Sequence, residues 1–321
     1  MTVADRPKQP GGRAAGQLAG QSGGAAREAG AAFTLTPRPP FDWGYPLRFL
    51  AGSPATHTEQ VVEGDHAIKA WRTAEASVVT RIGRAPDAPA LTVELVSAEP
   101  VTEATVETMA DRLRFFLSLD DDLATFARAA AGDPAFAPIE ARCRGYRQVK
   151  FPTPVESLVW SILTQRTPAQ VARKIQSRLM RELTPPVTGF GHELQPFPSL
   201  GQLAAPSEAE LAGVIGNQRK AAHLYGSVQR LAEVDESFLR HGDYDEVKAF
   251  LLALPGIGPW SASSVMVRGL GRMERLPEDP AVLEAAQRAY HRTLAMGDLE
   301  TLSARYAPYP GYWAHYLRIA E

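Results

Sequence analysis

The sequence predicts an α+β protein in which a small antiparallel-sheet α/β domain precedes an all-α body. Three observations carry this. Between 61 and 96, short runs rich in β-branched residues alternate with turn residues. Beyond about 120, apolar residues recur at helical intervals. At 254–258 two helical stretches meet across Leu254-Pro255-Gly256-Ile257-Gly258, a hairpin of two glycines around one apolar residue.

Residues 1–32 hold nine Ala and seven Gly with almost no large apolar side chain, so they are expected to be a disordered tail. Residues 33–120 form the mixed domain. Its strands are Val61-Val62, Ile68–Trp71, Ser77–Ile82 and Leu91–Val96. Gly64-Asp65 and Ala85–Pro89 punctuate them as turns, and helices at Gly44–Leu50 and Glu103–Leu117 flank them. Residues 121–321 form the helical body. Pro154–Glu182 carries Leu158, Ile162, Leu163, Val171, Ile175 and Leu179 in helical register, broken near Thr167-Pro168. Helices at Ser207–Ile215, Arg219–Ala232, Asp243–Leu254, Pro259–Leu270 and Pro280–Ala295 follow, and the four prolines of 184–199 predict a surface excursion.

Composition narrows the function classes. Hydrophobic residues make up 45% and charged residues 22%, ordinary for a globular protein. No apolar run reaches the ~20 residues that span a bilayer, and the N-terminus lacks a signal-peptide core. A cytoplasmic monomer with no membrane partner is expected. Cys143 is the only cysteine, which excludes a disulfide framework and a four-cysteine zinc or iron–sulfur site; no cofactor is expected. The net charge is −2, but it is segregated. Residues 141–181 carry nine Lys or Arg against Glu156 alone, and 94–123 carry eight acids against two Arg. One face can meet phosphates while another repels them; two ordinary solvated helix faces are the plainer alternative.

The hairpin glycines let a backbone turn sharply and come close to a partner, and free amides at the following helix start suit an anion such as a DNA phosphate. A structural turn gives the same five residues. About twenty residues on come Glu278 and Asp279. Asp279 precedes Pro280 and an apolar run, the pattern of an N-cap followed by Pro at the first helical position. A capping Asp is held rigidly, which a catalytic carboxylate also needs.

Several blocks together resemble bacterial DNA-3-methyladenine glycosylase II, of the helix-hairpin-helix DNA glycosylase superfamily. They are Pro39–Tyr45 with Phe49-Leu50-Ala51, Ile162–Arg166, Leu254–Trp260, Arg268-Gly269, Leu276–Asp279 and Tyr306–Tyr312, in collinear order over about 35–320. The resemblance implies a helix-hairpin-helix glycosylase body and a monofunctional DNA glycosylase of base excision repair. Its partner would be double-stranded DNA containing damaged bases, and it would hydrolyse the N-glycosidic bond of alkylated, 3-methyladenine-type bases. Asp279 would be the catalytic carboxylate, and Trp260, Tyr306 and Phe49 would supply aromatic faces to the cationic base. Ser264 replaces a tyrosine of close relatives. Gly256, Gly258, Gln165 and Arg166 would touch DNA, with Arg166 in place of an apolar wedge. The carbonyls of Leu252, Leu254 and Ile257 would hold a monovalent cation. Lyase relatives carry a lysine where this chain has Trp260, and no lysine follows Lys248. The alternatives are a non-catalytic DNA-binding protein and a glycosylase for deaminated or oxidised bases.

Overall fold

The computed structural model describes residues 29–73, 76–277 and 279–320. Most of the expected tail, and Glu278, lie outside the described residues. The expected boundary at 32 moves, because strand β1 already spans Ala29–Leu35 and pairs with β5.

The N-terminal domain is a five-stranded antiparallel sheet in the order β1-β5-β4-β3-β2. Its other strands are β2 (Gln60–Glu63), β3 (His66–Arg72), β4 (Ser77–Arg84) and β5 (Leu91–Ser97). Helix α1 (Gly44–Gly52) precedes β2, and α2 (Glu103–Phe116) follows β5 behind a capping box at Thr102 and Thr105. Strand alternation sends Trp71, Val78, Ile82, Val93 and Leu95 toward α1 and α2, where they pack on Trp43, Met109, Leu113 and Phe116.

The opposite face carries Ile68, Ala70 and Val79, and it is buried too. What covers it is the segment expected as a surface excursion. Residues 184–199 contain a hairpin, β6 (Val187–Gly189) and β7 (His192–Leu194), whose Val187, Phe190 and Leu194 pack on that face. A Cβ on Gly189 would lie 2.6 Å from Val79 Cβ and 2.8 Å from Val96 Cγ2, so only glycine permits this approach. The body is therefore not purely α. Prolines marked the ends of the segment, but what its apolar residues bury against is a distant sheet.

The remaining helices are α3 (Ala124–Ala131), α4 (Ala137–Arg142), α5 (Pro154–Thr164), α6 (Ala169–Leu183), α7 (Leu200–Ala204), α8 (Glu208–Ile215), α9 (Gln218–Ala232), α10 (Glu236–His241), α11 (Tyr244–Leu252), α12 (Pro259–Ser264), α13 (Pro280–Tyr290), α14 (Met296–Ala304) and α15 (Pro310–Ile319). They surround two cores. One gathers Leu158, Ile162, Leu179, Leu224, Val228, Leu251 and Met266 from α5 to α12. The other joins Phe126 and Phe136, from α3 and the start of α4, to Val282, Tyr306, Trp313 and Tyr316 from the C-terminal helices.

Two expected helices are shorter than expected. The 259–270 stretch is α12 followed by a π-helical turn over Val265–Gly269, in which the Leu270 N–H donates to the Val265 carbonyl, five residues back, at 2.9 Å. Helix α13 stops at Tyr290 because His291 adopts a left-handed conformation, φ 50°.

Candidate active site and DNA-facing hairpins

The glycine hairpin joins α11 to α12. Gly256 has φ +75°, and a Cβ there would fall 2.2 Å from the His223 ring, so both backbone and neighbour demand glycine. Gly258 is different. It caps α12 with an extended backbone, and a Cβ there would meet nothing within 4 Å. Its bare face opens outward.

A second hairpin joins α5 to α6. Gln165 is the C-cap of α5, and Arg166, at φ +49° and exposed, forms the apex. The two hairpins are tied together, since Gln165 Nε2 donates to the Gly256 carbonyl at 2.7 Å. Lys220, almost fully buried, donates through Nζ to the Leu163 carbonyl and to Thr167 Oγ1 and so clamps the turn from behind. Sequence reasoning missed Lys220, which reads locally as one more basic residue in the first turn of α9. Burial lowers its pKa.

The basic stretch at 141–181 is only partly a surface feature. Arg142, Arg144, Arg166, Lys174, Arg178 and Arg181 are exposed. Arg147 is buried, donating to the carbonyls of Asp121, Arg38 and Pro40, and Lys150 is buried against Asp121 at 3.4 Å. Arg147 thereby ties the segment at 38–40 to the start of the body.

Asp279 caps α13. Its Oδ1 accepts the Ala281 N–H at 3.1 Å and its Oδ2 accepts Arg318 Nη1 at 2.6 Å. The Asp279 side chain keeps 19% exposure and Arg318 keeps 48%. No local signal marks Arg318, because a residue 39 positions on meets Asp279 only when α15 packs across the start of α13.

A second basic group, Arg268, lies near Arg318. Trp260, Ser264 and Arg268 follow one another along α12 and its π turn. Trp260 is 55% exposed, available to a ligand, while Ser264 is half-buried. Arg268 lays its guanidinium over Phe49 at 5.1 Å and over Phe151 at 5.3 Å. The Phe49 face expected for a cationic base is thus already taken by a cation of the protein. Burial lowers the Arg268 pKa and nearby Arg318 lowers it further, against an opposing influence from Tyr146; guanidinium remains charged at neutral pH. His315 hydrogen-bonds to Tyr146 Oη, and its pKa is pushed down to about 3 by burial and then by Arg268 and Arg318. His315 is therefore neutral.

Tyr306 is a correction. It is fully buried, donates to Asp133 Oδ2 at 2.8 Å and stacks on Trp313 at 6.0 Å, with no face left for a base. Asp133 also accepts Tyr290 Oη at 2.5 Å and Arg305 Nη1 at 3.1 Å. Burial alone would raise the Asp133 pKa, but these hydrogen bonds and Arg305 lower it on balance. Tyr306 holds the C-terminal core together.

Known proteins resemble the chain in sequence and in fold. Residues 32–149 match the family model described as the AlkA N-terminal domain. A "Probable bifunctional transcriptional activator/DNA repair enzyme AlkA" of Mycobacterium tuberculosis is 27% identical over 286 residues, 88% of this chain and 55% of the relative. The chain thus spans about half the length of that relative. The "DNA-3-methyladenine glycosylase 2" of Escherichia coli is 26% identical over 237 residues, covering 74% of this chain and 80% of its own. Among solved structures, the 3-methyladenine DNA-glycosylase from Archaeoglobus fulgidus matches with a TM-score of 0.74 at 19% identity, over 89% of this chain and 97% of that one. MBOgg1 in complex with a DNA ligand matches at 0.68 and 16% identity, over 92% and 96% of the two chains. In fold the chain resembles these DNA glycosylase structures, and residues 32–149, ahead of the helical body, match the AlkA N-terminal domain.

Proposed function

We propose that this chain is a monofunctional DNA glycosylase that releases alkylated, 3-methyladenine-type bases from double-stranded DNA by hydrolysis. The observation that carries the reading is the Asp279 carboxylate, fixed by the Ala281 amide, partly open to solvent and paired with Arg318, in a chain whose N-terminal part matches the AlkA N-terminal domain. A base in duplex DNA must leave the stack before its glycosidic bond can be reached. The exposed Arg166 apex, braced by Gln165 and Lys220, is placed to fill the gap it leaves. An alkylated purine already bears positive charge and departs without protonation, so a single carboxylate suffices to stabilise the cationic sugar and to orient water.

Arg318 opposes that role while it remains on Asp279, since unit charges 4 Å apart interact by about 4 kcal/mol at an effective dielectric near 20. In this reading the half-exposed Arg318 turns to a DNA phosphate as the duplex arrives and leaves the carboxylate facing the sugar. The hairpin carbonyls of Leu252, Leu254 and Ile257 fit a monovalent cation, being hard neutral oxygens; that of Leu254 accepts the Ile257 N–H at 3.2 Å and keeps a second lone pair. Such an ion would add positive charge beside a phosphate. With Trp260 where lyases place lysine, no strand cleavage accompanies base release.

One observation favours a second reading, a glycosylase for deaminated or oxidised bases. Arg318 sits on Asp279 and Arg268 lies near Arg318, and such a pair of guanidiniums suits a neutral base with carbonyl acceptors better than a cationic one. The deciding experiment is base release from methylated duplex DNA by wild type and Asp279→Asn, with binding measured in parallel. Release by wild type, lost in the variant with binding and fold retained because Asn still caps α13, is the expected result. Full release by Asp279→Asn refutes the catalytic assignment, and a product profile confined to hypoxanthine or oxidised purines selects the second reading.

A further inference from the structure

Helix α6 turns Ala172, Gln176, Leu179 and Met180 inward and leaves the opposite stripe facing out. Lys174, Arg178 and Arg181 stand on that stripe, all exposed, with half-buried Arg173 beside them. Glu182 is the only acid of the helix. Several surface arginines elsewhere meet a carboxylate, among them Arg38, Arg81, Arg275 and Arg305. Among the described residues no ion pair or side-chain hydrogen bond engages Lys174, Arg178 or Arg181. An open hollow beside the helix is lined by these cations and by His57.

The stripe is continuous with the Arg166 hairpin. Arg166 precedes the first residue of α6 by three positions. On the other side, Lys220 ties the start of α9 to that hairpin, and its neighbour Arg219 is exposed. Gly216, just before the Asn217 cap of α9, lies against Arg178: a Cβ there would sit 3.6 Å from Arg178 Nη2. Arg166, Arg219, Arg178, Lys174 and Arg181 therefore form one positive surface that begins at the hairpin apex. Like charges gathered on one face repel one another, and a row of phosphates relieves that repulsion. At a rise of about 1.5 Å per residue, Lys174, Arg178 and Arg181 lie about 8, 14 and 18 Å along α6 from its start. Duplex DNA rises about 3.4 Å per base pair, so the stripe matches about two to five pairs.

We propose that Lys174, Arg178, Arg181 and Arg219 form a ridge that grips the backbone of duplex DNA on one flank of the damaged base, within about six base pairs of it. The inference rests on the reading of Arg166 as the residue that fills the gap in the stack, since that reading sets the duplex at the head of α6. Helix α6 leaves the hairpin in one direction, so the contact falls on one side of the lesion. Guanidinium and ammonium groups suit phosphate oxygens, and such contacts carry no base preference.

The test is duplex binding by the full chain and by its triple variant Lys174→Gln/Arg178→Gln/Arg181→Gln. The probes are a long duplex with a central abasic-site analogue and two shortened forms, each cut back to about two base pairs on one side of that site. The substituted side chains are exposed and unpaired, so the variant should unfold at the wild-type temperature. On the long duplex it should bind at least about tenfold more weakly, with a salt slope shallower by about two to three. One shortened duplex should erase that difference and the other should keep it. Equal affinity and slope for wild type and variant, or a difference kept or lost on both shortened duplexes, would overturn the inference. So would two duplexes bound per wild-type chain against one per variant, which would put separate DNA on the ridge. A wild type that binds none of the duplexes would refute the glycosylase reading along with the ridge, whereas wild-type binding that the variant shares unchanged refutes the ridge alone.

Discussion

Gly256 and Gly258 look equivalent in the hairpin sequence, and the structure makes them opposites. Replacing Gly256 with alanine places a Cβ 2.2 Å from His223 Nδ1 and forces a left-handed φ of +75° on an L side chain. The conformational term costs about 1–2 kcal/mol. Displacing the His223 ring in a packed site adds about 1–3 kcal/mol. A loss of about 2–5 kcal/mol is therefore expected, read as a lower urea midpoint at unchanged slope. Gly258→Ala meets nothing within 4 Å and keeps an ordinary φ of −95°, so its stability should stay within about 0.5 kcal/mol of wild type. Its new methyl group instead stands on the outward face, and in the proposed reading, where this face meets phosphate, affinity should fall for damaged and undamaged duplex alike. Urea unfolding and a duplex-binding titration at fixed salt measure both. The reasoning fails if Gly256→Ala is as stable as wild type, or if Gly258→Ala unfolds early while binding DNA normally.

Further consequences follow from the side chains around the site. Arg318→Ala should weaken duplex binding and reduce the salt slope by about one, while single-turnover base release at saturating DNA persists; an unchanged slope with a lost rate would show that Arg318 positions Asp279 instead of turning to phosphate. Tyr306→Phe removes one hydrogen bond from buried Asp133 and should cost about 1–2 kcal/mol with no change in the profile of released bases; an altered profile would return Tyr306 to the pocket. His315 has a folded pKa depressed to about 3 from an ordinary value of 6.5, so the unfolded state binds more protons between those values. Its contribution to stability is complete above pH 6.5 and is lost as pH falls toward 3. Acid unfolding of His315→Gln should accordingly be less steep in that window, and an identical pH profile would contradict the burial argument.

How much was legible in the sequence depended on whether the signal was local. The strands at 68–71, 77–82 and 91–96 showed as β-branched runs bounded by turns, and the structure places β3, β4 and β5 there. The Asp279 cap was written in Asp-Pro before an apolar run, and the structure gives that cap with its Ala281 hydrogen bond. The 184–199 segment was misread because its apolar residues are few and short, and their burial depends on a sheet about a hundred residues away. Tyr306 was misplaced for a similar reason. A tyrosine in a matching block carries no local mark of whether its ring faces a cleft or a core, and Asp133, which decides the matter, is 173 residues distant.

The sequence by itself determined the α+β division, the glycine hairpin and the capped carboxylate, because each rests on periodicity, turn chemistry or neighbouring residues, and its collinear blocks carried the resemblance to bacterial DNA-3-methyladenine glycosylase II. Only the tertiary structure decided that Arg318 sits on Asp279, that Arg268 covers Phe49, and that Lys220 and Gln165 brace the two hairpins. Those pairings join elements far apart along the chain. Nothing in the local backbone fixes them, and they arise only when burial of the separate apolar faces brings the helices and the sheet together.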